Sequence, residues 1–235
     1  MADRVHPASA SRPRGTGLAW GLNEAVAWGG VVVTLVLSAA NAYGGGAAEP
    51  GLYGDTGDGL HGLLARLTDS LSYFTIWSNI VVALSLTLLR LRRRGDLLER
   101  VLRLDGLMMI VVTAVVYRVV LAPAVDLEGW SYLTDPWLHV VTPALTVVVW
   151  LGWGPRGQVT LRLVPAALAV PLVWVGWMLA RGAVIGSYPY GFVNVSEHGY
   201  AAVFAAIGAV LVVGLVVAVV LWFAEWLALR VLSRR

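Results

Sequence analysis

The sequence predicts an all-α polytopic membrane protein, a six-transmembrane-helix bundle with both termini in the cytoplasm. Three observations predict this fold: a strongly apolar composition, six apolar segments of membrane-spanning length, and arginines that cluster on one side of the predicted bundle. Of the 235 residues, 58% are hydrophobic and only 13% are charged. A soluble domain carries roughly 25% charged residues, so the composition indicates an integral membrane protein.

The apolar segments divide the chain into a tail and one domain. Residues 1–17 are rich in alanine, serine, proline, glycine and arginine, and we expect a disordered basic tail. Residues 18–235 form the transmembrane domain, in which each apolar segment is close to the ~20 residues needed to cross a bilayer. The first segment exceeds the ~7–15 apolar residues of a signal peptide, so we interpret it as a span. The predicted spans cover about residues 18–43, 70–90, 102–122, 136–153, 162–182 and 200–226.

Proline and glycine mark the ends of these segments and one kink. The third span ends at Pro123, and the fourth ends before Pro155. In the fifth span, Pro165 lies in the first turn, where its missing N–H is harmless, whereas Pro171 lies in the interior and predicts a kink. Residues 44–62 are rich in glycine and carry three acidic side chains, so they predict a loop between the first two spans.

Arginine placement sets the predicted orientation. All seventeen basic side chains are arginine, and nearly all lie in the tail, the loops after the second and fourth spans, and the C-terminus. By the positive-inside rule, these segments and both termini are cytoplasmic. A net charge of +3 also occurs in nucleic-acid-binding proteins, but arginines that flank apolar segments are typical of membrane topology. We therefore expect membrane lipids, and no nucleic acid, as partners.

The residue types present argue against a metal or cofactor site. The chain has no cysteine, which excludes disulfides, thiolate metal sites and cysteine nucleophiles. His61 and His198 fall in predicted outer loops without carboxylates at ligand spacing. No glycine-rich phosphate loop is present, so we expect no metal and no cofactor. The sequence makes no prediction of the oligomeric state.

Polar side chains concentrate at the start of the second predicted span. Ser72, Thr75 and Asn79 stand at positions i, i+3 and i+7, which share one face if the span is a single α-helix. Such a face avoids lipid only by meeting neighbouring helices or a water-filled cavity. His139, in the fourth span, offers a matching polar group.

The predicted topology places Thr75 and His139 at similar depth in the outer leaflet. Both spans begin at the outer face, with Thr75 six residues beyond Asp69 and His139 four residues beyond Asp135. At ~1.5 Å per residue, these offsets correspond to depths of roughly 9 and 6 Å below the two carboxylates. Whether the two side chains face each other depends on the rotation of the two helices.

Two interpretations of Thr75 and His139 are open at this point. A threonine hydroxyl becomes a nucleophile when an adjacent base takes its proton, and histidine suits that role because its pKa lies near the working pH. Asn79, Ser72, Tyr73 and Trp77 are then candidate donors to the developing oxyanion or to the substrate. Alternatively, Thr75 bonds its own backbone carbonyl at i−4, and His139 makes a structural interhelical hydrogen bond.

Charged residues within or beside the spans need partners. Arg118, near the outer end of the third span, is expected to pair with Asp126 or Asp135 or to reach the membrane interface. A substrate carboxylate or phosphate is the alternative partner for this arginine. No acid in the sequence is an obvious group to orient the histidine, although Asp135 lies four residues earlier, on the same helical face if the helix extends that far. Asp105 and Glu225 lie near the predicted cytoplasmic ends and are expected to meet nearby arginines.

Three stretches together resemble a known family. They are residues 72–79 (Ser-Tyr-Phe-Thr-Ile-Trp-Ser-Asn), residues 138–143 (Leu-His-Val-Val-Thr-Pro) and residues 188–192 (Tyr-Pro-Tyr-Gly-Phe). Their order and spacing resemble the bacterial Pr6Pr membrane proteins, which are related to the eukaryotic FAR-17a and androgen-induced protein family. The resemblance covers about residues 20–226, which is essentially all six spans.

The resemblance implies a chemistry and a pair of residues. Animal members of the wider family are atypical threonine hydrolases that cleave fatty-acid esters of hydroxy fatty acids, and their nucleophile follows a Tyr-Leu pair. Here Tyr73 and Phe74 precede Thr75, and His139 matches the family's histidine in a later helix. The resemblance therefore implies Thr75 as nucleophile and His139 as base, with a fatty-acyl ester as substrate. Gly191 departs from the pattern, because a second proline is expected there.

Two function classes follow from the sequence. The first is a lipid-ester hydrolase of the cell membrane, in which Thr75 attacks the carbonyl, His139 accepts the proton and Asn79 helps to hold the oxyanion. The alternative is a non-catalytic bundle that binds a lipid or small molecule or scaffolds other membrane proteins. The first requires both the threonine and the histidine, whereas the second predicts that either side chain is replaceable except for its contribution to stability.

Overall fold

The computed structural model describes residues 14–44, 49–91, 96–123 and 126–232. Within these ranges, six helices are long and apolar enough to cross a membrane, and no strand is present. The prediction of an all-α bundle of six spanning helices is therefore confirmed. Residues 1–13 of the predicted tail, and the arginines among residues 92–95, lie outside the described residues.

The described ranges contain seven long or medium helices, because a shorter helix precedes the second spanning helix, and one separate 3₁₀ turn at Gly191–Val193. Apart from α2, each is one of the six long apolar helices. Their bounds are α1 Thr16–Ala39, α2 Gly59–Ser70, α3 Phe74–Leu91, α4 Leu97–Leu121, α5 Ser131–Trp153, α6 Leu161–Ile185 and α7 Val195–Leu232.

The prediction for the second span is wrong in its first part. The spanning helix does not begin at residue 70: α2 ends there, the chain turns through residues 71–73, and α3 begins at Phe74. Two tryptophans of α6 hold this turn. The indole N–H of Trp174 donates to the Ser72 carbonyl, and that of Trp177 donates to the Ser72 hydroxyl, both at 3.0 Å. These contacts satisfy polar groups that the turn removes from regular helical bonding.

Two expectations change with this turn. Ser72 lies outside α3, so it does not share a helical face with Thr75 and Asn79. The depth expected for Thr75 assumed a continuous helix from Asp69, and that assumption is wrong for the same reason. Thr75 instead occupies the second position of α3, in the first turn of the helix.

α4 and α5 each contain one π-helical turn, Tyr117–Leu121 in α4 and Trp137–Val141 in α5. Each turn is followed two residues later by a proline, Pro123 or Pro143. A proline lacks the N–H that bonds the carbonyl four residues earlier, and its ring clashes with that carbonyl. In the wider turn, the backbone N–H bonds the carbonyl five residues back. This turn accommodates Pro143 within α5, whereas α4 ends at Leu121, before Pro123.

α6 and α7 each carry a local break. The helical run of α6 stops at Ala167 and resumes at Ala169. Pro171 explains this position, because its missing N–H leaves the carbonyl of residue 167 without its helical donor. The predicted kink therefore lies one turn before the proline. In α7, Gly199 has φ +72°, so the first turn is offset from the long run that follows.

α3 lies between α1 and α4 in the bundle. Its contact with α4 is close, because a Cβ added at Gly106 would lie only 3.3 Å from the Val82 Cα. One turn further toward the start of α3, the Thr113 hydroxyl of α4 donates to the Ser78 hydroxyl at 2.9 Å. Close backbones and hydroxyl bonds of this kind are typical of helix packing in membranes.

The two buried acids near the predicted cytoplasmic ends differ in their partners. The Glu225 carboxylate lies 3.6 Å from the Arg156 guanidinium and accepts the backbone N–H of Gln158 at 3.1 Å. The expectation that Glu225 meets an arginine is therefore confirmed. Asp105 is fully buried in α4, and neither of its carboxyl oxygens has a hydrogen-bond partner among the described residues. The same expectation is wrong for Asp105.

The loop before α2 is joined to the loop between α6 and α7. The Tyr188 N–H donates to the Gly51 carbonyl at 2.8 Å, and the Tyr53 N–H donates to the Tyr188 carbonyl at 3.1 Å. The Tyr188 side chain is 2% exposed and lies against Gly182 of α6. This contact fixes the loop that also carries Tyr190.

Adding one methyl group at Gly182 should destabilise the protein. A Cβ there would lie 2.1 Å from Tyr188 Cε1, so the ring must move and the loop contact is strained. Overpacking of this kind costs about 1–3 kcal/mol. We expect Gly182→Ala to lower the thermal unfolding midpoint of the purified protein in detergent micelles.

Gly176→Ala is the matched control, because it lies in the same helix with no atom within 4 Å of the added Cβ. We expect its midpoint to equal or exceed that of the unmodified protein, since alanine favours helix over glycine. Equal midpoints for the two variants would contradict the packing of Tyr188 on Gly182.

Candidate active site

The structure brings Thr75 and His139 into direct contact. Thr75 Oγ1 lies 3.0 Å from His139 Nε2, and the Thr75 side chain is largely buried at 6% exposure. The carbonyl four residues before Thr75, that of Leu71, accepts the indole N–H of Trp77 at 2.7 Å. Thr75 therefore directs its hydroxyl to the histidine of another helix rather than to its own backbone.

A backbone contact sets the tautomer of His139. Its Nδ1 lies 2.9 Å from the Asp135 carbonyl oxygen, one turn earlier in α5. Because a carbonyl only accepts hydrogen bonds, Nδ1 carries the proton. In the neutral ring, Nε2 is then an acceptor. The Thr75 hydroxyl donates to it, which is the arrangement in which an imidazole takes a proton.

Two side chains support the His139 ring. Asp135 Oδ1 lies 3.4 Å from His139 Nδ1, where a carboxylate stabilises a positively charged imidazole. The Tyr117 ring stacks on the imidazole, with centroids 4.0 Å apart and planes inclined by 13°. Both π-helical turns of the protein therefore contribute a residue to this stack.

Thr75 lies at a helix N-terminus, which leaves backbone donors beside its hydroxyl. The first N–H groups of a helix have no carbonyl acceptor within it. The N–H of Thr75 donates to the Tyr190 hydroxyl at 3.4 Å. That oxygen also lies 3.4 Å from Thr75 Oγ1. Burial raises the pKa of Tyr190 to about 12, so the phenol is neutral near pH 7.

The remaining predicted donors have other partners. Asn79 is fully buried, and its Nδ2 donates to the carbonyls of Thr75 at 2.8 Å and Leu138 at 3.4 Å. It therefore joins α3 to α5. The Ser72 hydroxyl donates to the Thr68 carbonyl at 2.6 Å. Both side chains direct their donors to the backbone rather than to the space beside the Thr75 hydroxyl.

Tyr73 and Arg118 differ in their relation to the site. The Tyr73 ring packs edge-on against Tyr53 and Tyr190, with centroid distances of 5.7 and 5.5 Å, and lines the cavity that contains the histidine. Arg118 is exposed, and in the described part of the chain it forms no ion pair with Asp126 or Asp135. Arg118 is also absent from the residues that line the cavities beside Thr75, so the structure does not bring it to the site.

Two cavities meet at Thr75. The loop-side cavity, about 590 Å³, lies beneath the joined loops and contains His139 and Asp135. The apolar cavity, about 80 Å³, lies between α4, α6 and α7. The residues that line both cavities are Thr75, Leu121, Tyr190 and Phe192.

Sequence reasoning missed two members of this site. Tyr117 has no motif that marks it, and only Pro123 signals an irregular turn near it. Tyr190 lies in the quoted stretch of residues 188–192, but nothing in that stretch indicates contact with the threonine. Within the described residues, no group of three or more histidine and acidic side chains could hold a metal ion.

Comparison of the chain with protein-family models, with curated proteins and with solved structures finds no match. The geometry at Thr75 and the chemistry of its neighbours therefore carry the evidence for function.

The stacking of Tyr117 on His139 should be visible by NMR. A ring stacked at 4.0 Å shifts the imidazole protons upfield through its ring current. We expect Tyr117→Leu to move the His139 resonances downfield in histidine-labelled protein in micelles, with His139→Gln providing the assignment.

Tyr132→Leu is the control, because Tyr132 lies at the start of the same helix as the histidine and is 69% exposed. We expect it to leave the His139 resonances in place. The stacked arrangement would be contradicted by His139 resonances that are the same in all three proteins.

Proposed function

We propose that this protein is a lipid-ester hydrolase of the cell membrane, with Thr75 as nucleophile and His139 as general base. The observation that carries the proposal is the 3.0 Å contact between Thr75 Oγ1 and His139 Nε2. It is supported by the His139 Nδ1 contact to the Asp135 carbonyl at 2.9 Å. A nucleophile bonded to a base that a third group orients is the general pattern of covalent catalysis.

The first step forms a tetrahedral intermediate on Thr75. His139 Nε2 takes the proton of the Thr75 hydroxyl as Oγ1 attacks the carbonyl carbon of the ester. The imidazole becomes positively charged, and the Asp135 carboxylate at 3.4 Å from Nδ1 stabilises that charge. The stacked Tyr117 ring restricts the orientation of the His139 imidazole.

The start of α3 supplies donors for the oxyanion. The N–H groups of Phe74 and Thr75 lie beside the attacking oxygen and have no helical acceptor. The positive end of a helix dipole favours negative charge at this position. In the structure, the Tyr190 hydroxyl accepts the Thr75 N–H at 3.4 Å, so it must move aside when the substrate carbonyl binds. These amides take the role that the sequence had suggested for Asn79.

The second half of the reaction releases the products. His139 returns the proton to the alkoxide as the bond between the carbonyl carbon and the alcohol oxygen breaks. A water molecule from the loop-side cavity then gives a proton to Nε2 and attacks the acyl carbon. The bond to Thr75 Oγ1 breaks, and the threonine recovers its proton as the fatty acid leaves.

The position of the pair supports a site in the outer leaflet. Thr75 lies at the start of α3 and Arg90 near its end, whereas His139 lies near the start of α5 and Arg156 follows its end. Arginines at the opposite end of both helices place the pair away from the cytoplasm by the positive-inside rule. The same rule places both termini in the cytoplasm.

The resemblance to the Pr6Pr and FAR-17a proteins supports the same chemistry. It implies the same threonine and histidine and a fatty-acyl ester as substrate. The non-catalytic bundle is the competing proposal, because a threonine–histidine bond between α3 and α5 is also an ordinary interhelical contact. The two proposals differ in whether the Thr75 hydroxyl is reactive.

Labelling with a fluorophosphonate probe tests the reactivity of Thr75. We expect the probe to label the unmodified protein in membranes, and Thr75→Val to abolish labelling, because valine keeps the shape without the hydroxyl. His139→Ala should slow labelling by roughly 10²–10⁴-fold, which is the usual contribution of a general base. Thr75→Ser is the control and should remain labelled.

Thermal unfolding in micelles shows whether each variant is folded. Labelling that persists in a folded Thr75→Val variant would exclude this threonine as the nucleophile. If the probe labels none of the folded proteins and none of them hydrolyses fatty-acyl esters, the non-catalytic bundle is favoured.

Removing the Tyr190 hydroxyl tests the origin of the oxyanion donors. Tyr190→Phe keeps the ring between the two cavities and removes the oxygen that occupies the amide of Thr75. We expect this variant to react with the probe at least as fast as the unmodified protein. A loss of tenfold or more would show that the phenol itself participates and would contradict its displacement by substrate.

A further inference from the structure

The general base lies in only one of the two cavities that meet at Thr75. His139 and Asp135 line the loop-side cavity and are absent from the lining of the apolar cavity. Thr75 lines both, and the Tyr190 and Phe192 rings stand between them. An ester bound at Thr75 therefore has one half beside the base and the other half away from it.

Proton transfer decides which half lies on which side. The base that takes the proton of the nucleophile is the group that returns it to the leaving oxygen. The alcohol oxygen must therefore be within hydrogen-bond reach of His139 Nε2, on the side of the loop-side cavity. The water that later releases the acyl group needs the same nitrogen. The acyl chain then has to extend in the opposite direction.

We propose that the apolar cavity between α4, α6 and α7 is the acyl-chain site, and that the loop-side cavity holds the alcohol half of the ester. This assignment rests on the proposed hydrolase function. In the acylation step, the Thr75 Oγ1–carbon bond forms and the carbon–alcohol oxygen bond breaks. The proton moves from Thr75 to His139 and then to the departing alkoxide, so no further reactant is required before water enters.

The lining of the apolar cavity fits a hydrocarbon chain. The cavity begins at Thr75. Val112 and Met108 of α4 line one side of it, and Ile207 and Gly214 of α7 line another. On α7, these two residues are about 10 Å apart at ~1.5 Å per residue. Among the residues that the structure describes, no charged side chain lines the cavity, so it takes an alkyl chain and excludes a charged group.

The small volume of the apolar cavity should make the reaction sensitive to the length of the acyl chain. An apolar cavity of about 150 Å³ holds one benzene molecule, so about 80 Å³ holds a few carbons. Met108 and Met109 line the cavity, and unbranched methionines adapt their shape to longer chains. A short acyl group stays near Thr75, whereas a long one has to pass Gly214.

Gly214→Leu tests the assignment. A Cβ at Gly214 would lie 3.9 Å from Val112 Cγ2, so the backbone accepts a side chain, and the isobutyl group fills the inner part of the cavity. With para-nitrophenyl acetate, hexanoate and dodecanoate as substrates, we expect a loss of kcat/KM that grows with acyl length. The loss for dodecanoate should exceed that for acetate at least tenfold.

Gly208→Leu is the matched control. It lies in the same helix, does not line the cavity, and has no atom within 4 Å of an added Cβ. We expect its kcat/KM to stay within twofold of the unmodified protein for every ester. Acetate esters of alcohols of increasing length form a second series, in which the Gly214→Leu loss should be constant.

The outcomes separate the assignment from the function that it rests on. A Gly214→Leu loss that is equal for all acyl lengths, or that follows alcohol length, would overturn the acyl-chain assignment while hydrolysis by Thr75 stands. If the unmodified protein hydrolyses none of the esters and is not labelled by fluorophosphonate, the proposed function fails first, and the assignment fails with it.

Discussion

The turn between α2 and α3 is the constraint on which the candidate site depends. The indole N–H groups of Trp174 and Trp177 bond the carbonyl and hydroxyl of Ser72, so the polar groups of the turn are satisfied although it lies among spanning helices. Because α3 begins after this turn, Thr75 stands in its first turn with a backbone N–H that has no helical acceptor. In a continuous helix from residue 70, that N–H would bond a carbonyl of the preceding turn.

Prolines determine the geometry of the part of the site that contains His139 and Tyr117. Pro143 and Pro123 each follow a π-helical turn, and these turns carry His139 and Tyr117. In a regular helix each residue adds about 100° of rotation, so a wider turn changes the direction of the side chains that precede it. The stack of Tyr117 on His139 at 4.0 Å results from two such turns in neighbouring helices. His139 is thereby held by packing and by a backbone carbonyl rather than by a single charged partner.

Part of the site followed from the sequence, although not always for the right reason. Thr75 and His139 were expected at similar depth, and they are in contact at 3.0 Å, yet the depth argument assumed a helix that the turn interrupts. Asn79 was expected beside the oxyanion because it follows Thr75 by one turn. Its amide instead joins α3 to α5, since a buried amide in a close helix contact takes the nearest carbonyls.

The sequence by itself determined the six spans, the short loops and the prolines that interrupt helices, because apolar length and a missing N–H are local properties that hold whatever the neighbours are. Only the tertiary structure decided which side chains meet. The contact of Thr75 with His139, the position of the Tyr190 hydroxyl on the Thr75 amide and the division of the space at Thr75 into two cavities depend on helix rotation. Rotation is set by packing between segments far apart in the chain, and single-segment periodicity carries no information about it.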